Sequence, residues 1–333
     1  MAVLVTGASG FLGGRLAQVL VARGEVVRIL ARPGGDLRHL TDLPLEVVQG
    51  DLAAKESLAA AVKGVTHIYH CAGCSTDWDP WDVFYAANVA GVRNLLDAAL
   101  QVSSLQRFLH VSTTDVYGYP AVPCNESHPL TDVGLPYNRT KCQGEECVCE
   151  ASRRSGLPVT VVRPATIYGP RSKDFVIEIA KLIRQGAMAV VDGGRSPGGF
   201  SYVDNAVDAI IRAATLPETF GRYYNLADGT GVTWRHYVDA LADGLGERRP
   251  WINIPSAIAF PLARSLESTH RLLRLPGRPL LTCNAVYLLC RNQEYPIEGA
   301  RRDLGFSPAV SFDEGMGRTV NWLKKNGQQV AQN

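Results

Sequence analysis

The chain lacks any long apolar run and any cluster of charge of one sign. Its apolar stretches are short, as in segment 257–263, which Pro261 interrupts, whereas a membrane-spanning helix needs about 20 consecutive apolar residues. Lysine plus arginine number 34 and aspartate plus glutamate number 32, and the arginine pairs are dispersed along the chain. We therefore predict no transmembrane segment and no nucleic-acid partner.

The chain also lacks the features of a secreted, disulfide-rich protein and those of a metal site. Its 333 residues contain eight cysteines, too few for a disulfide framework, and Met1 leads into an apolar segment without a basic leader. Cys71 and Cys74 have the C-x-x-C spacing of zinc and redox sites, but no second pair stands at a suitable distance. We expect a cytoplasmic protein with free thiols and without a metal.

What the sequence does have is an alternation of short β-branched runs with helical segments. The chain is 46% hydrophobic, which is ample for a large core. The patterns predict strands at 3–5, 25–30, 46–49, 67–70, 108–111 and 159–162, and helices at 12–23, 57–62, 88–100 and 137–154. Strands separated by helices imply right-handed crossovers, so we predict an α/β fold with a Rossmann-type, doubly wound parallel sheet.

A glycine-rich loop follows the first predicted strand and leads into the first helix. Glycines at its Gly-x-x-Gly-x-x-Gly spacing permit a tight turn and a close approach of backbone N–H groups to a pyrophosphate, which the helix N-terminus also favours. The loop therefore predicts a dinucleotide site. Its candidate residues are Gly7, Ser9, Gly10, Phe11, Leu12 and Gly13.

The order of elements loosens after residue 168, where glycines and prolines break shorter helices. We predict that residues 1–168 form a dinucleotide-binding domain and that residues 169–333 mainly form a smaller C-terminal substrate-binding subdomain. Segments within about 200–230, such as 223–225, should return to the first domain. Because ligands of such sheets bind outside the carboxyl ends of the strands, the subdomain should shape the substrate pocket.

A second motif, Tyr-x-x-x-Lys, lies at the start of the fourth predicted helix as Tyr137 and Lys141. Residues four apart share a helical face, so the Lys141 ammonium should lower the pKa of the Tyr137 phenol from its ordinary value of about 10. A tyrosine activated in this way can give or take a proton near neutral pH.

Together, the glycine loop and the Tyr-x-x-x-Lys motif resemble the extended short-chain dehydrogenase/reductase family, part of the NAD(P)-dependent epimerase/dehydratase superfamily. Segment 110–118 resembles the family strand that ends in Val-Tyr-Gly and carries a catalytic Ser or Thr four residues before that tyrosine. Counting back from Tyr117 selects Thr113, with Ser112 and Thr114 as alternatives, although alternation along a strand points Ser112 away. The resemblance thus implies a catalytic triad of Thr113, Tyr137 and Lys141.

Further segments resemble family segments that contact a nicotinamide dinucleotide at the ends of later strands. The resemblance also implies that Lys141, besides its place in the triad, orients the nicotinamide ribose. The implied cofactor residues are Asp51 and Leu52 near the adenine, Ala72 and Gly73 beside the nicotinamide ribose, and Asn88, Lys141, Pro164 and Ile167.

The end of the second predicted strand bears on which nicotinamide cofactor binds. NAD-preferring members place an acidic residue there, about 20 residues beyond the loop, on the adenine ribose. Here stretch 27–32 contains no acid, and Arg32 could pair with a 2′-phosphate. We therefore favour NADP(H), while Asp36 leaves NAD(H) open.

Segments 277–282 and 295–308 resemble the 3β-hydroxysteroid dehydrogenase branch, whose kin include 2-alkyl-3-oxoalkanoate reductases and dihydroflavonol reductases. Trp78 and Trp81 could wall the pocket, or merely pack a loop onto the core. Segment 257–275 could be a lid, a membrane-resting surface or a buried helix. The resemblance implies an oxidoreductase that interconverts a ketone and a secondary alcohol on a largely apolar small molecule, whether steroid-like, 3-oxoalkanoate-like or flavonoid-like.

Two other functions stay open on the sequence. A nucleotide-sugar epimerase or dehydratase would use the same triad. A non-catalytic nicotinamide-sensing protein would bind the cofactor only, but such relatives usually lack the tyrosine or the lysine. Helices 88–100 and 137–154 resemble those that form a dimerising four-helix bundle in family members, which implies a homodimer.

Overall fold

The computed structural model describes residues 2–330, without the side chains of residues 327–330. The first six strands are β1 (Ala2–Thr6), β2 (Val26–Ala31), β3 (Leu45–Gln49), β4 (Val65–His70), β5 (Arg107–Val111) and β6 (Val159–Pro164). The later strands are β7 (Thr166–Tyr168), β8 (Ala189–Val191), β9 (Phe200–Tyr202), β10 (Tyr223–Leu226) and β11 (Ile252–Ile254).

The helices alternate with these strands in the first two-thirds of the chain and dominate the last third. The first six are α1 (Phe11–Ala22), α2 (Lys55–Val62), α3 (Trp81–Tyr85), α4 (Gly91–Ala99), α5 (Pro136–Ser155) and α6 (Glu178–Arg184). The others are α7 (Val203–Thr215), α8 (Trp234–Leu245), α9 (Ser256–Leu272), α10 (Cys283–Cys290), α11 (Glu298–Leu304) and α12 (Phe312–Val330).

Seven strands form one parallel sheet in the order β10-β6-β5-β4-β1-β2-β3. Successive residues of a strand face opposite sides: Val3 and Val5 pack in a core with residues of α1 and α7, whereas Leu4 packs with residues of α2, α4 and α5. Both faces of the sheet are therefore covered, which explains the apolar character of its strands. The predicted doubly wound α/β fold is confirmed.

The predicted helix at 88–100 begins earlier than its sequence pattern indicated. Helix α3 starts at Trp81 directly after Pro80, which has an extended backbone, and a π-helical turn over Ala86–Ala90 joins it to α4. Trp81 is thus the first residue of a helix and is not part of the preceding loop.

Segment 223–226 adds a strand to the edge of the main sheet, because β10 pairs in parallel with β6 from Tyr223 opposite Val161. Two short parallel pairs, β7 with β9 and β8 with β11, lie outside this sheet. Helices α9 and α10 pack beside β8 around Ala259, Ala263 and Val286. The opposite side of α9 stays exposed.

Within residues 2–330, no helix combines the length and the apolarity that a membrane span requires. In the same part of the chain, no three His, Cys, Asp or Glu side chains cluster in a way that could hold a metal ion. The eight cysteines are all free thiols.

Candidate active site

The glycine loop between β1 and α1 is packed too tightly for side chains at two of its positions. Gly7 has φ +75°, and a Cβ there would stand 2.7 Å from the backbone nitrogen of Ala72. A Cβ on Gly13 would stand 2.5 Å from the carbonyl oxygen of Gly7. Gly7 therefore lets the loop lie directly against the segment that follows β4, and Gly13 lets the start of α1 pack against the loop itself.

Helix α1 begins at this loop with backbone donors available to a ligand. Gly10 is the N-cap residue, and no side chain caps the helix, so its first N–H groups are not taken up by a capping group. Ser9, Phe11 and Leu12 are partly exposed, and Gly10 is exposed. An uncapped, accessible helix N-terminus behind a tight glycine turn fits a dinucleotide pyrophosphate.

The segment after β4 is fixed by Thr6 and Asn88. The Thr6 hydroxyl accepts a hydrogen bond from the Ala72 N–H at 3.2 Å. Asn88 accepts from the Cys74 N–H at 2.8 Å and donates to the Cys74 carbonyl at 3.0 Å and to Thr140 Oγ1 at 3.1 Å. The Asn88 amide is therefore engaged with protein groups and holds segment 72–74 in place, with Gly73 packed against its Oδ1 atom.

Of the other residues expected to contact the cofactor, Asp51 and Leu52 follow the carboxyl end of β3, Pro164 ends β6, and Ile167 lies in β7, outside the main sheet. Asp51 caps the turn after β3, where its Oδ1 accepts from the Ala53 N–H at 2.9 Å, and the Leu52 carbonyl accepts from Asn94 Nδ2 at 2.8 Å. Ile167 is partly buried in β7.

Arg32, directly after β2, is exposed beside the glycine loop. The turn that follows it closes through the Gly35 N–H to the Arg32 carbonyl at 3.0 Å, and a Cβ on Gly35 would contact Ser9. Asp36 is bound by the Arg38 guanidinium at 2.9 and 2.8 Å, and this hydrogen bonding holds its pKa well below the usual range. Asp36, the acid that could have bound the adenine ribose of NAD(H), is thus already paired with Arg38.

The structure brings Thr113, Tyr137 and Lys141 together at the carboxyl end of β5. Thr113 is buried and caps the short turn over Thr114–Tyr117, accepting from the Asp115 N–H at 3.2 Å. Its hydroxyl lies close enough to the Tyr137 phenol to lower the pKa of that phenol. Lys141, one turn further along α5, is buried and donates to the Val111 carbonyl at 2.8 Å.

The pKa of Tyr137 is shifted in the direction opposite to our expectation. Tyr137 is partly buried, and the resulting loss of hydration raises the pKa of its phenol, which the Asp115 carboxylate raises further. The Thr113 hydroxyl acts the other way. Burial lowers the pKa of Lys141 to about 8, and its ammonium is bound to β5.

Neither neighbour of Thr113 has its contact with Tyr137. The Ser112 hydroxyl donates to Glu145 Oε2 at 2.6 Å, so Ser112 points away from the cleft as strand alternation predicts. The Thr114 hydroxyl is buried without a hydrogen-bond partner in the described part of the chain.

Two buried polar networks around the triad were missed by sequence reasoning. Glu145 pairs with Arg163, whose guanidinium also donates to Tyr117 Oη at 2.8 Å. The second network joins Asp115, Tyr119 and Asn284. The only sequence signal was that Glu145 lies four residues after Lys141 on one helix face; the other partners are distant in sequence.

The two tryptophans proposed as pocket walls lie in different surroundings. Trp78 packs edge-on against His270 of α9 at 6.1 Å, with the Arg271 guanidinium 5.0 Å from its ring. Trp81 is 42% exposed, near Arg139. Trp78 therefore joins the loop after β4 to the C-terminal segment, whereas Trp81 lies at the surface.

Comparison with known proteins gives matches over most of the chain. A model of the NAD-dependent epimerase/dehydratase family matches residues 3–227. The 2-alkyl-3-oxoalkanoate reductase of Stenotrophomonas maltophilia is 32% identical over 333 residues, 96% of this chain and 98% of that protein. The 4-hydroxy-2-methyl-3-oxo-4-farnesyl-3,4-dihydroquinoline-1-oxide ketoreductase of Stigmatella aurantiaca is 33% identical, over 95% of each chain.

Among solved structures, the UDP-glucuronic acid 4-epimerase of Bacillus cereus in complex with NAD aligns with a TM-score of 0.77. The alignment covers 98% of this chain and 99% of that one at 19% identity. This likeness concerns the shared fold.

Proposed function

Since this chain belongs to the NAD-dependent epimerase/dehydratase family, within the extended short-chain dehydrogenases/reductases, we propose that it is an NAD(P)(H)-dependent oxidoreductase that interconverts a ketone and a secondary alcohol. The observation that carries the proposal is the convergence of Thr113, Tyr137 and Lys141 at the carboxyl end of β5. This edge of the sheet also holds the uncapped start of α1.

The proposed mechanism assigns one task to each member of the triad. When bound, the nicotinamide cofactor supplies or accepts the hydride. In reduction, the Thr113 hydroxyl donates a hydrogen bond to the substrate oxygen, and the Tyr137 phenol donates its proton to that oxygen. The Lys141 ammonium would hold the cofactor ribose and would stabilise the phenolate left on Tyr137. In oxidation, the Tyr137 phenolate takes the proton from the alcohol.

We propose a largely apolar ketone as the substrate, of the 3-oxoalkanoate type. The support comes from two relatives of nearly full-length match that are named as reductases of oxo compounds with apolar substituents. Trp78 would contribute an apolar wall where the loop after β4 meets α9. Residues 169–333 would then form most of the substrate-binding subdomain.

NADP(H) is the proposed cofactor form. Arg32 is exposed beside the glycine loop, and the nearest acid, Asp36, is already bound by Arg38. An exposed guanidinium at the end of β2 offers a bidentate partner to a 2′-phosphate, whereas a free carboxylate for ribose hydroxyls is missing from stretch 27–32.

We propose a cytoplasmic homodimer that associates through α4 and α5. The surface between these helices is lined by Tyr85, Arg93, Gln143, Glu146, Cys147 and Glu150. Its mixture of both signs of charge suits an isologous contact, in which each patch meets its own copy. Light scattering should then give a molar mass near twice that of one chain.

We also propose that the exposed side of α9 rests on an anionic lipid surface. Ile258, Leu262 and Leu272 lie on that side, and Leu273 and Leu275 extend it. Segment 251–280 contains four arginines and a single acid, Glu267, which is buried. An apolar stripe flanked by cations fits the interface of an anionic bilayer.

The test of the proposed activity is to follow oxidation of NADPH, and separately NADH, with a panel of 3-oxoalkanoates, keto-steroids, dihydroflavonols and nucleotide sugars. We expect turnover with an apolar ketone and a higher kcat/KM for NADPH. Tyr137→Phe should lower kcat by about 100-fold or more, the usual scale of general acid catalysis, and should leave the cofactor Kd within about twofold.

If Tyr137→Phe turns over as fast as the wild type, Tyr137 is not the proton donor. Silence with every ketone, together with interconversion of a nucleotide sugar without net loss of reduced cofactor, would replace the reductase by an epimerase.

A further inference from the structure

Asp115 is a buried carboxylate that the proposed mechanism leaves unused. It is 6% exposed and lies two residues after Thr113. Its backbone is tied to both sides of the reacting pair: its N–H donates to Thr113 Oγ1, and its carbonyl accepts from the amide of Asn138, the neighbour of Tyr137, at 2.7 Å. Any rearrangement at Asp115 is therefore transmitted to the triad.

The carboxylate of Asp115 is held by the C-terminal part of the chain. Tyr119 Oη lies 2.8 Å from Asp115 Oδ2 and 2.7 Å from the side-chain amide of Asn284, on α10. A phenol has one proton, so when Asp115 accepts it the Asn284 amide must present its N–H group to the phenol oxygen. The three side chains then form one hydrogen-bonded chain from the triad to α10.

Tyr119 is kept in a conformation that its neighbours must stabilise. Its φ is +58°, in the left-handed region that side chains other than glycine rarely adopt. Its ring stacks on Tyr287 of α10, with the ring centroids 4.9 Å apart and the planes 11° from parallel. Packing on α10 thus fixes the phenol that binds Asp115.

We propose that Asp115 is a positioning residue for the reaction: its backbone ties Thr113 to Asn138 beside Tyr137, α10 holds its carboxylate through Tyr119 and Asn284, and the negative charge placed there keeps Tyr137 a proton donor. This inference rests on the proposed function.

Several other groups also face Tyr137. Asp174, from the π-helical turn over Lys173–Ile177, and Cys74, after β4, act in the same direction as Asp115 but rank after it, and the Thr113 hydroxyl acts in the opposite direction. Burial raises the pKa of Asp115 to about 6, although the Tyr119 phenol and the Lys141 ammonium lower it. Asp115 is thus ionised at neutral pH, which the proposal requires.

The experiment compares pH profiles of kcat/KM for Asp115→Asn and the wild type in both directions. Reduction needs protonated Tyr137 and oxidation needs its phenolate. Removal of the negative charge should therefore move the alkaline loss of reduction, and the alkaline rise of oxidation, to lower pH by about one unit. Asp174→Asn is the matched control: Asp174 is exposed, so water screens its charge and the shift should be clearly smaller.

A uniform fall of kcat in Asp115→Asn, with both inflections unmoved, would show a merely structural role and overturn the proposal. If that variant fails to fold, Tyr119→Phe provides the test. It leaves the carboxylate but frees it from α10, so the alkaline inflections of reduction and oxidation should move to lower pH, by less than in Asp115→Asn. Unmoved alkaline inflections in Tyr119→Phe would overturn the proposal too.

Tyr137→Phe distinguishes a failure of the proposed function from a failure of the role proposed for Asp115. Retained turnover in Tyr137→Phe defeats the proposed function itself. An inactive Tyr137→Phe together with unshifted Asp115→Asn profiles defeats only the role of Asp115.

Discussion

At the scale of single residues, the site depends on charged groups that are buried beneath it. Glu145 and Arg163 form an ion pair whose side chains are almost fully buried. The pair also receives the Ser112 hydroxyl and contacts Tyr117. Removing one partner of such a pair leaves the other as an uncompensated buried charge, which costs much more than the loss of a surface pair.

We expect Arg163→Met to lower the free energy of unfolding by about 3–5 kcal/mol, measured by urea denaturation. The matched control is Arg154→Met, in the same helix as Glu145. Arg154 pairs with Glu150 in an exposed i,i+4 contact, so its loss should cost less than about 1 kcal/mol. If both variants lost the same free energy of unfolding, burial would not be what makes the Glu145–Arg163 pair costly to break.

A second prediction concerns His70 and His110, buried side by side with ring centroids 5.3 Å apart. Burial lowers the pKa of His70 to about 3 and that of His110 well below its usual value. Both ring nitrogens of His110 are without hydrogen-bond partners among the described residues. The folded state therefore keeps these imidazoles neutral at a pH where the unfolded chain protonates them.

Because the folded-state pKa is the lower one, the stability that His110 contributes is complete above pH 6.5 and is lost as the pH falls. His110→Phe should remove this loss. The stability of the wild type relative to the variant should drop by about 1.4 kcal/mol per pH unit as the pH falls below about 6. Asp115 and Asp228, whose pKa values are raised to about 6, act oppositely, but they cancel in this difference. A pH-independent difference would contradict the prediction.

At the scale of elements, the junction of β1, its loop and α1 depends on close backbone packing. Gly7 combines a positive φ with backbone atoms of the segment after β4 at 2.7 Å from any Cβ. Gly24, after the same helix, has φ +85° but open space around a Cβ. A side chain at Gly24 would therefore cause backbone strain alone, whereas one at Gly7 would cause both backbone strain and a steric clash.

We expect Gly7→Ala to weaken cofactor binding at least tenfold and to lower the Tm, because the loop must move away from Ala72. Gly24→Ala should cost only the strain of a positive φ, about 1 kcal/mol, without a change in affinity. Fluorescence titration with NADPH and thermal unfolding measure both effects. If Gly7→Ala binds NADPH with unchanged affinity, the glycine loop is not part of the cofactor site.

At the scale of the whole molecule, the distribution of exposed apolar side chains distinguishes one surface from the rest. Leu272 is 83% exposed and Ile258 58%, on the side of α9 that faces away from the core. Exposed arginines at 264, 271 and 274 accompany them. Scattered apolar residues on a surface are ordinary, but a cluster of this kind marks an interaction site.

We expect the protein to float with vesicles of phosphatidylcholine mixed with phosphatidylserine, and to remain in solution with pure phosphatidylcholine. Leu272→Glu combined with Leu273→Glu should abolish flotation. Val122→Glu is the control, because Val122 is 72% exposed elsewhere on the chain. Equal binding by all three proteins would contradict the proposed surface, and loss of self-association by the double variant would assign it to a second copy.

The sequence by itself determined the fold and the motifs, because both depend on local patterns. The six predicted strands and four predicted helices follow apolar periodicity, and the glycine loop and the Tyr-x-x-x-Lys motif are short enough to be recognised in one segment. Only the start of the helix at Trp81 departed from the pattern, since a π-helical turn joins two helices there.

Tertiary structure alone decided the electrostatics of the site. Asp115 and Tyr137 are 22 residues apart, and Asn284 lies 165 residues after Tyr119, so no sequence pattern could place them together. The pKa of Tyr137 is raised, against the expectation from Lys141 four residues away, because burial and the Asp115 carboxylate act on it. A motif fixes which groups share a helical face, whereas their protonation depends on every charge and every lost water around them.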